Sequence, residues 1–135
     1  MNECEPTLYI IMRTDLPDMN PGKGMAQASH ATDDFNAWKA LMIANPHTYG
    51  GLISEFERWQ EHRSFGRVIV LQGTLEEMNA VVCSNDFCGL TVDDTYPWCN
   101  FYGELFLSEE TTAAWCFICD ETLPSEALTS LPLQV

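Results

Sequence analysis

The fold is decided by Leu8-Tyr9-Ile10-Ile11-Met12-Arg13-Thr14-Asp15-Leu16 together with the next stretch, Pro17-Asp18-Met19-Asn20-Pro21-Gly22-Lys23-Gly24-Met25-Ala26-Gln27-Ala28-Ser29-His30-Ala31. The run Leu8 to Met12 is short, apolar and β-prone, which reads as a buried strand. Two prolines and two glycines between Pro17 and Gly24 predict a loop. After it, Met25, Ala28, Ala31, Phe35, Trp38, Leu41 and Met42 recur at helical spacing. They predict one amphipathic helix from about Lys23 to Asn45, stopped before Pro46.

Outward from this unit the pattern continues as an α/β domain. Leu52 to Arg63 reads as a shorter helix anchored by Phe56 and Trp59, and Arg67 to Gln72 as a strand. Thr74-Leu75-Glu76-Glu77 is a capping box opening a helix to about Asn85. Cys88 to Val92 and Ala113 to Cys119 read as a third and a fourth strand. Between them, Asp93 to Thr112 is expected as a long functional loop. The order β-α-α-β-α-β-β implies a small mixed sheet packed with helices, read as a single domain over 1–135 with an irregular tail from about 120. Ligands on such sheets bind at the carboxyl ends of strands.

Composition narrows the function classes. Twenty Asp and Glu stand against six Lys and Arg, a formal net charge of −14 in 135 residues. All six cations lie at or before Arg67 (Arg13, Lys23, Lys39, Arg58, Arg63 and Arg67), and eleven acidic residues come after it with no Lys or Arg. A broad basic face of the kind that binds phosphates is excluded, so any RNA contact must be local. No apolar run approaches the roughly 20 residues of a membrane span, and the acidic start Met1-Asn2-Glu3-Cys4-Glu5 does not read as a secretory signal. A cytoplasmic location without membrane attachment is expected, with the six cysteines as thiols.

Several patterns carry chemistry. Gly22-Lys23-Gly24 lacks the spacing of a phosphate-binding P-loop, but it puts a cation beside the free N–H groups of a helix start, where anions are favoured. Gln27 and His30, four and seven residues on, share the face of Lys23; His30 is of the type that exchanges protons near neutral pH. Asp93-Asp94-Thr95-Tyr96-Pro97 comes directly after a strand end. Its two carboxylates either face Lys23 and orient a water or form an Asx-type turn before Pro97. Cys116 and Cys119 have zinc-like spacing and Cys83 and Cys88 are spaced by four, but without the tight turns a zinc knuckle uses; buried thiols are the simpler reading.

Ile11 to Leu16 followed by Gly22 to Ala31 resembles the signature of the peptidyl-tRNA hydrolase 2 family, a strand ending in R-x-D-L, a loop, then G-K-x-x-A-Q-x-x-H-A. The similarity runs more weakly to Ile118. It implies a mixed four-stranded sheet flanked by helices on both faces, and hydrolysis of the ester joining a peptidyl or aminoacyl group to the tRNA 3′ ribose, without a metal or other cofactor. Carried over, it implies Lys23, Asp93, Thr95 and Thr112 as catalytic residues, and Arg13, Gly22, Gln27, His30, Asp94 and Thr111 at the substrate. Asp93 and Asp94 compete for one role, as do Thr111 and Thr112. This chain departs from the family in its expanded aromatic loop, in Cys116-Phe117 where a Gly-Pro is usual, and in its acidity. The expected partner is a tRNA-linked peptide or amino acid, with homodimer formation also considered. The alternative reading is a catalytically altered member acting as an acidic binding or inhibitor protein for a basic or nucleic-acid-binding partner.

Overall fold

Strand β1 (Thr7–Arg13) is covered on both sides, as its unbroken apolar run requires. Alternate side chains go to opposite faces: Leu8, Ile10 and Met12 enter one core, Ile11 the other. The computed structural model describes residues 5–16, 19–48, 50–62, 65–99 and 102–134. The expected roles of the N-terminal tetrapeptide, of Pro17 and Asp18 in the first loop, and of Arg63 as a cation lie outside the described residues.

The chain continues through α1 (Pro21–Ala44), α2 (Leu52–His62), β2 (Val68–Gly73), α3 (Leu75–Ser84), β3 (Cys88–Cys99), β4 (Leu105–Ile118) and α4 (Glu126–Thr129). The four strands form one mixed sheet in the order β2-β1-β4-β3. β1 is parallel to β2, from Leu8↔Val68 to Arg13↔Gly73, and antiparallel to β4. Parallel neighbours need a crossover, and α1 with α2 supplies it. These helices cover one face, where Phe35 lies within 5.4 Å of the Trp59 and Phe117 rings and 5.7 Å of the Trp115 ring. On the other face, Met78 and Val81 of α3 and Leu128 of α4 cover Ile11, Ala114, Cys116 and Ile118.

Two boundaries differ from expectation. Helix α1 begins at Pro21, so Pro21 to Gly24 form its first turn rather than loop. Asn20 is the N-cap, its side chain accepting from the Lys23 N–H at 2.9 Å, and Pro21 sits at the first helical position, where its missing N–H costs nothing.

The expected long loop from Asp93 to Thr112 is instead the outer part of a β3–β4 hairpin. Pairing runs on through Val92↔Thr111, Asp93↔Glu110, Tyr96↔Ser108 and Trp98↔Phe106 to Cys99↔Leu105. Pro97 hides this strand in the sequence, yet β3 is an edge strand, where a residue without an N–H is tolerated. Register shifts at Thr91/Val92 and between Asp93 and Tyr96 mark β-bulges.

The capping box forms as written: Thr74 accepts from the Glu77 N–H at 3.2 Å and donates its own N–H to the Glu77 carboxylate at 2.9 Å. Past Asp120 the chain turns through α4, and the Gln72 N–H donates to Pro132 (2.9 Å) while the Gln134 N–H donates to Val70 (2.9 Å). The final segment thereby covers the outer edge of β2. Among the described residues, no helix is long and apolar enough to cross a membrane.

Candidate functional site

The first bulge makes the site. Thr91 pairs with Ala113 and Val92 with Thr111, which leaves Thr112 as the extra residue on β4. A bulge re-aims side chains, and the fully buried Thr112 hydroxyl donates to the Gln27 side-chain oxygen at 2.5 Å. Gln27, itself buried on α1, turns its amide NH2 to Asp93 Oδ2 at 2.8 Å. One amide therefore ties helix α1 to both strands of the hairpin, and the two bonds together define its orientation.

Asp93 is the centre of the cluster. Its Oδ1 accepts from the Thr95 N–H at 2.9 Å and the Thr95 hydroxyl at 3.2 Å, and its Oδ2 lies 4.0 Å from His30 Nε2. Only 12% of its side chain is exposed. Burial pushes the Asp93 pKa up, but the Thr95 N–H, the Gln27 amide, the Thr95 hydroxyl and the His30 charge together outweigh it and hold the carboxyl below its ordinary 3.8. Asp93 is thus an anion at neutral pH and a weak base. It suits holding a water or an imidazolium better than keeping a proton. His30 is half exposed and can exchange protons with a ligand in the cleft it shares with Asp93.

Of the two expectations for the Asp93 segment, the structure contains the Asx-type turn, while the carboxylates do not face Lys23. The Thr95 N–H bond two residues on is the Asx-type turn, and the other oxygen points to Gln27 and His30. Asp94 is exposed and lines the cleft without joining these bonds. Of each adjacent pair, Asp93 and Thr112 enter the cluster. Thr111 lies half-buried beside it and contributes its carbonyl to Arg13.

Lys23 corrects another expectation. Its ammonium donates to the Pro97 carbonyl at 3.0 Å and lies 5.3 Å from the centre of the Tyr96 ring; among the described residues it forms no ion pair with Asp93 or Asp94. The reason is the hairpin. Because β3 runs on past Asp93, it carries Tyr96 and Pro97 to the first turn of α1, and the carboxylates sit further along the helix beside Gln27 and His30.

Arg13 does not join the cluster either. Its guanidinium binds Asp15 at 2.7 Å and the Thr111 carbonyl at 2.8 Å, with Glu110 at 3.7 Å. Asp15 also accepts from the Leu75 N–H at 3.2 Å. The Arg-x-Asp pair is thus a clamp joining β1, β4 and the start of α3. Gly22 lies exposed in the first turn of α1.

Tyr96 and Thr91 were not singled out by sequence. Tyr96, fully buried, is half of the seat of Lys23; its alternation with Trp98 is the available signal, obscured by Pro97. Thr91 lines the cleft with His30 and Asp93, and its buried hydroxyl has no hydrogen-bond partner among the described residues. A hydroxyl within the short run Cys88 to Val92 is the trace it leaves in the sequence.

The cleft itself has a volume of about 380 Å³ and is lined by Asp33 and Asp34 as well as His30, Asp93 and Asp94, an anionic wall unsuited to phosphate. Among the described residues no group of three or more His, Cys, Asp or Glu is placed to hold a metal ion. Compared with known proteins, the chain matches no family model and no curated protein.

Proposed function

We propose that this protein hydrolyses the ester between a peptidyl or aminoacyl group and the 3′ ribose of tRNA. The observation that carries the reading is the Thr112–Gln27–Asp93 relay with His30 beside it, further along the face of α1 at whose start Lys23 sits. The resemblance of Ile11 to Leu16 and Gly22 to Ala31 to the peptidyl-tRNA hydrolase 2 family supports it as well.

In this mechanism a water in the cleft attacks the ester carbonyl as His30 takes its proton, and Asp93 stabilises the imidazolium that forms. The Lys23 ammonium moves from the Pro97 carbonyl to the developing oxyanion. His30 then returns the proton to the departing ribose oxygen as the C–O bond breaks. Thr112 and Thr95 are positioning residues that hold Gln27 and Asp93. Arg13 holds the middle of β4 through the Thr111 carbonyl.

The test is release of the acyl group from N-acetyl-aminoacyl-tRNA with a chelator present. Lys23→Ala and Asp93→Asn should each cost roughly 100-fold or more in kcat. Intact substrate with the wild-type protein, or a Lys23→Ala variant as fast as wild type, rejects the reading.

The acidic-binding alternative draws on one observation, the β3–β4 arm. It presents exposed Leu105, Phe106 and Leu107 among Glu104, Glu109 and Glu110, in the half of the chain without Lys or Arg. On that reading Lys23→Ala is neutral, and a basic partner is captured at low salt and released at high salt.

A further inference from the structure

Cys88 opens β3, and Cys116 lies directly opposite it on β4. The residues beside them show which kind of pair this is. The Phe117 N–H donates to the Phe87 carbonyl at 2.8 Å, so these two are hydrogen-bonded partners. Opposed pairs alternate along an antiparallel ladder, which makes Cys88 and Cys116 a non-hydrogen-bonded pair with Cα atoms about 4.5 Å apart. A disulfide spans roughly 4.4–6.8 Å between Cα atoms, so the ladder already holds the two residues at bridging range. Their side chains share a face: Cys116 is buried in the core under α3, and Cys88 packs against that core.

The other described cysteines are placed differently. Cys119 enters the core on the opposite face of the sheet, and Cys83 and Cys99 are exposed. The two members of the pair also differ from each other. Cys116 is fully buried, whereas Cys88 is only half-buried. The Cys88 thiol is held in place by hydrogen bonds to the Asn85 carbonyl at 3.1 Å and the Val82 carbonyl at 3.4 Å. Its hydrogen bond with Cys116 outweighs burial and the Asp86 charge and keeps the Cys88 pKa below its ordinary 9.0, while that bond and burial push Cys116 up. One sulfur is thus suited to attack an oxidant, and the other is a thiol waiting beside it.

We propose that Cys88 and Cys116 are a peroxide-reactive dithiol whose oxidised state is a reversible cross-strand disulfide at the base of the β3–β4 hairpin. The Cys88 thiolate attacks the terminal oxygen of a hydroperoxide. The O–O bond breaks, the released alkoxide takes a proton, and Cys88 becomes a sulfenic acid. The Cys116 sulfur then attacks the Cys88 sulfur and expels its hydroxyl, which leaves as water with the Cys116 proton. Two thiols lose two electrons and two protons, and the hydroperoxide becomes an alcohol and water. The Cα spacing is at the lower edge of what a disulfide spans, which makes the bond easy to reduce. In a reducing compartment it forms transiently, as redox-sensing disulfides do. The bridge lies just before the bulge at Thr91/Val92 that turns Asp93 and Thr112 to Gln27. Oxidation therefore clamps the strand register on which that cluster depends.

The test treats the reduced protein with equimolar hydrogen peroxide, blocks the remaining thiols with iodoacetamide in denaturant, and maps the peptides. A linked Cys88–Cys116 peptide, two hydrogens lighter than the separate thiols and released by dithiothreitol, is expected as the main product. Cys116→Ala should leave the sulfenic acid stranded on Cys88, where dimedone captures it. Cys88→Ala, at a half-buried position, should leave Cys116 a thiol. In the oxidised protein, amide exchange along β3 and β4 beside the bulge should slow about tenfold. Oxidation of Cys83 or Cys99 with Cys88 and Cys116 left as thiols overturns the proposal. So does a Cys83–Cys88 bridge, or dimedone labelling of Cys88 as strong in the wild type as in Cys116→Ala. Should Cys116→Ala fail to fold, the wild-type map and Cys88→Ala decide the matter. Unchanged amide exchange in the bridged protein overturns the clamp.

Discussion

Gln27 is the residue on which the site's geometry turns, and its replacement by leucine tests the whole arrangement. Leucine keeps the volume and helix propensity but removes both polar ends. The Thr112 hydroxyl, fully buried, then loses its acceptor, and a buried unsatisfied hydroxyl costs about 1–3 kcal/mol. Asp93 loses a hydrogen bond to a charged group, of about 1.5–3 kcal/mol, but keeps the Thr95 N–H and hydroxyl. The two losses share one amide and are not additive, so roughly 2–4 kcal/mol is expected. At this chain length each kcal/mol moves Tm by about 3–4 °C, which gives a fall of roughly 6–16 °C.

The pH dependence adds a second readout. The Asp93 pKa is depressed in the folded state, so its contribution to stability is fully present above the ordinary 3.8 and is lost as pH falls through the lower folded value. Without the Gln27 amide that value rises toward 3.8 and the acid-sensitive contribution shrinks. Urea denaturation at pH 7 and pH 3, with a carboxyl titration of Asp93 by NMR, measures both. A Gln27→Leu loss below about 0.5 kcal/mol, together with an unmoved Asp93 titration, refutes the relay as a structural unit.

Single features elsewhere in the fold give further outcomes. Gly66 has φ +80°, and a Cβ there would lie 2.1 Å from the Trp59 indole, so Gly66→Ala should destabilise by about 1–3 kcal/mol in thermal unfolding; a neutral result would show that Trp59 is free to move. Thr74→Ala removes the hydroxyl half of the α3 capping box and should cost about 1 kcal/mol by urea titration. Among the thiols of the described residues, iodoacetamide should modify exposed Cys83 and Cys99 first and half-buried Cys88 next. The Cys88 pKa is lowered by its hydrogen bond with Cys116. The Cys116 thiol is pushed up by that same bond and by burial, and Cys119 up to about 12 chiefly by burial, so both should stay unmodified until the protein unfolds, as peptide mapping would show.

Much of this molecule was legible without coordinates because its signals are local. The apolar run of β1, the helical recurrence from Met25 to Met42 and the Thr74–Glu77 capping box each express a preference of neighbouring residues for one backbone geometry, and the structure contains all three. Helix spacing alone placed Lys23, Gln27 and His30 on one face. The start of α1 shows where local signals mislead: Pro21 and Gly22 read as loop residues, and only the Asn20 cap turns them into a first turn.

What tertiary structure decided is everything that depends on which distant residues become neighbours. That Asp93 rather than Asp94, and Thr112 rather than Thr111, faces Gln27 is set by the bulge at Thr91/Val92, because a one-residue change of register moves a side chain to the opposite face of a strand. The hairpin that brings Tyr96 and Pro97 to Lys23 depends on β3 lying at the sheet edge, where Pro97 does not break a ladder. Arg13 and Asp15, two residues apart in sequence, become a clamp only because β4 presents the Thr111 carbonyl and α3 its first N–H. The sequence by itself determined the elements and the chemistry each could bring. Pairing across 66 and 85 residues decided which groups meet, since hydrogen bonds at that separation depend on strand register rather than on local propensity.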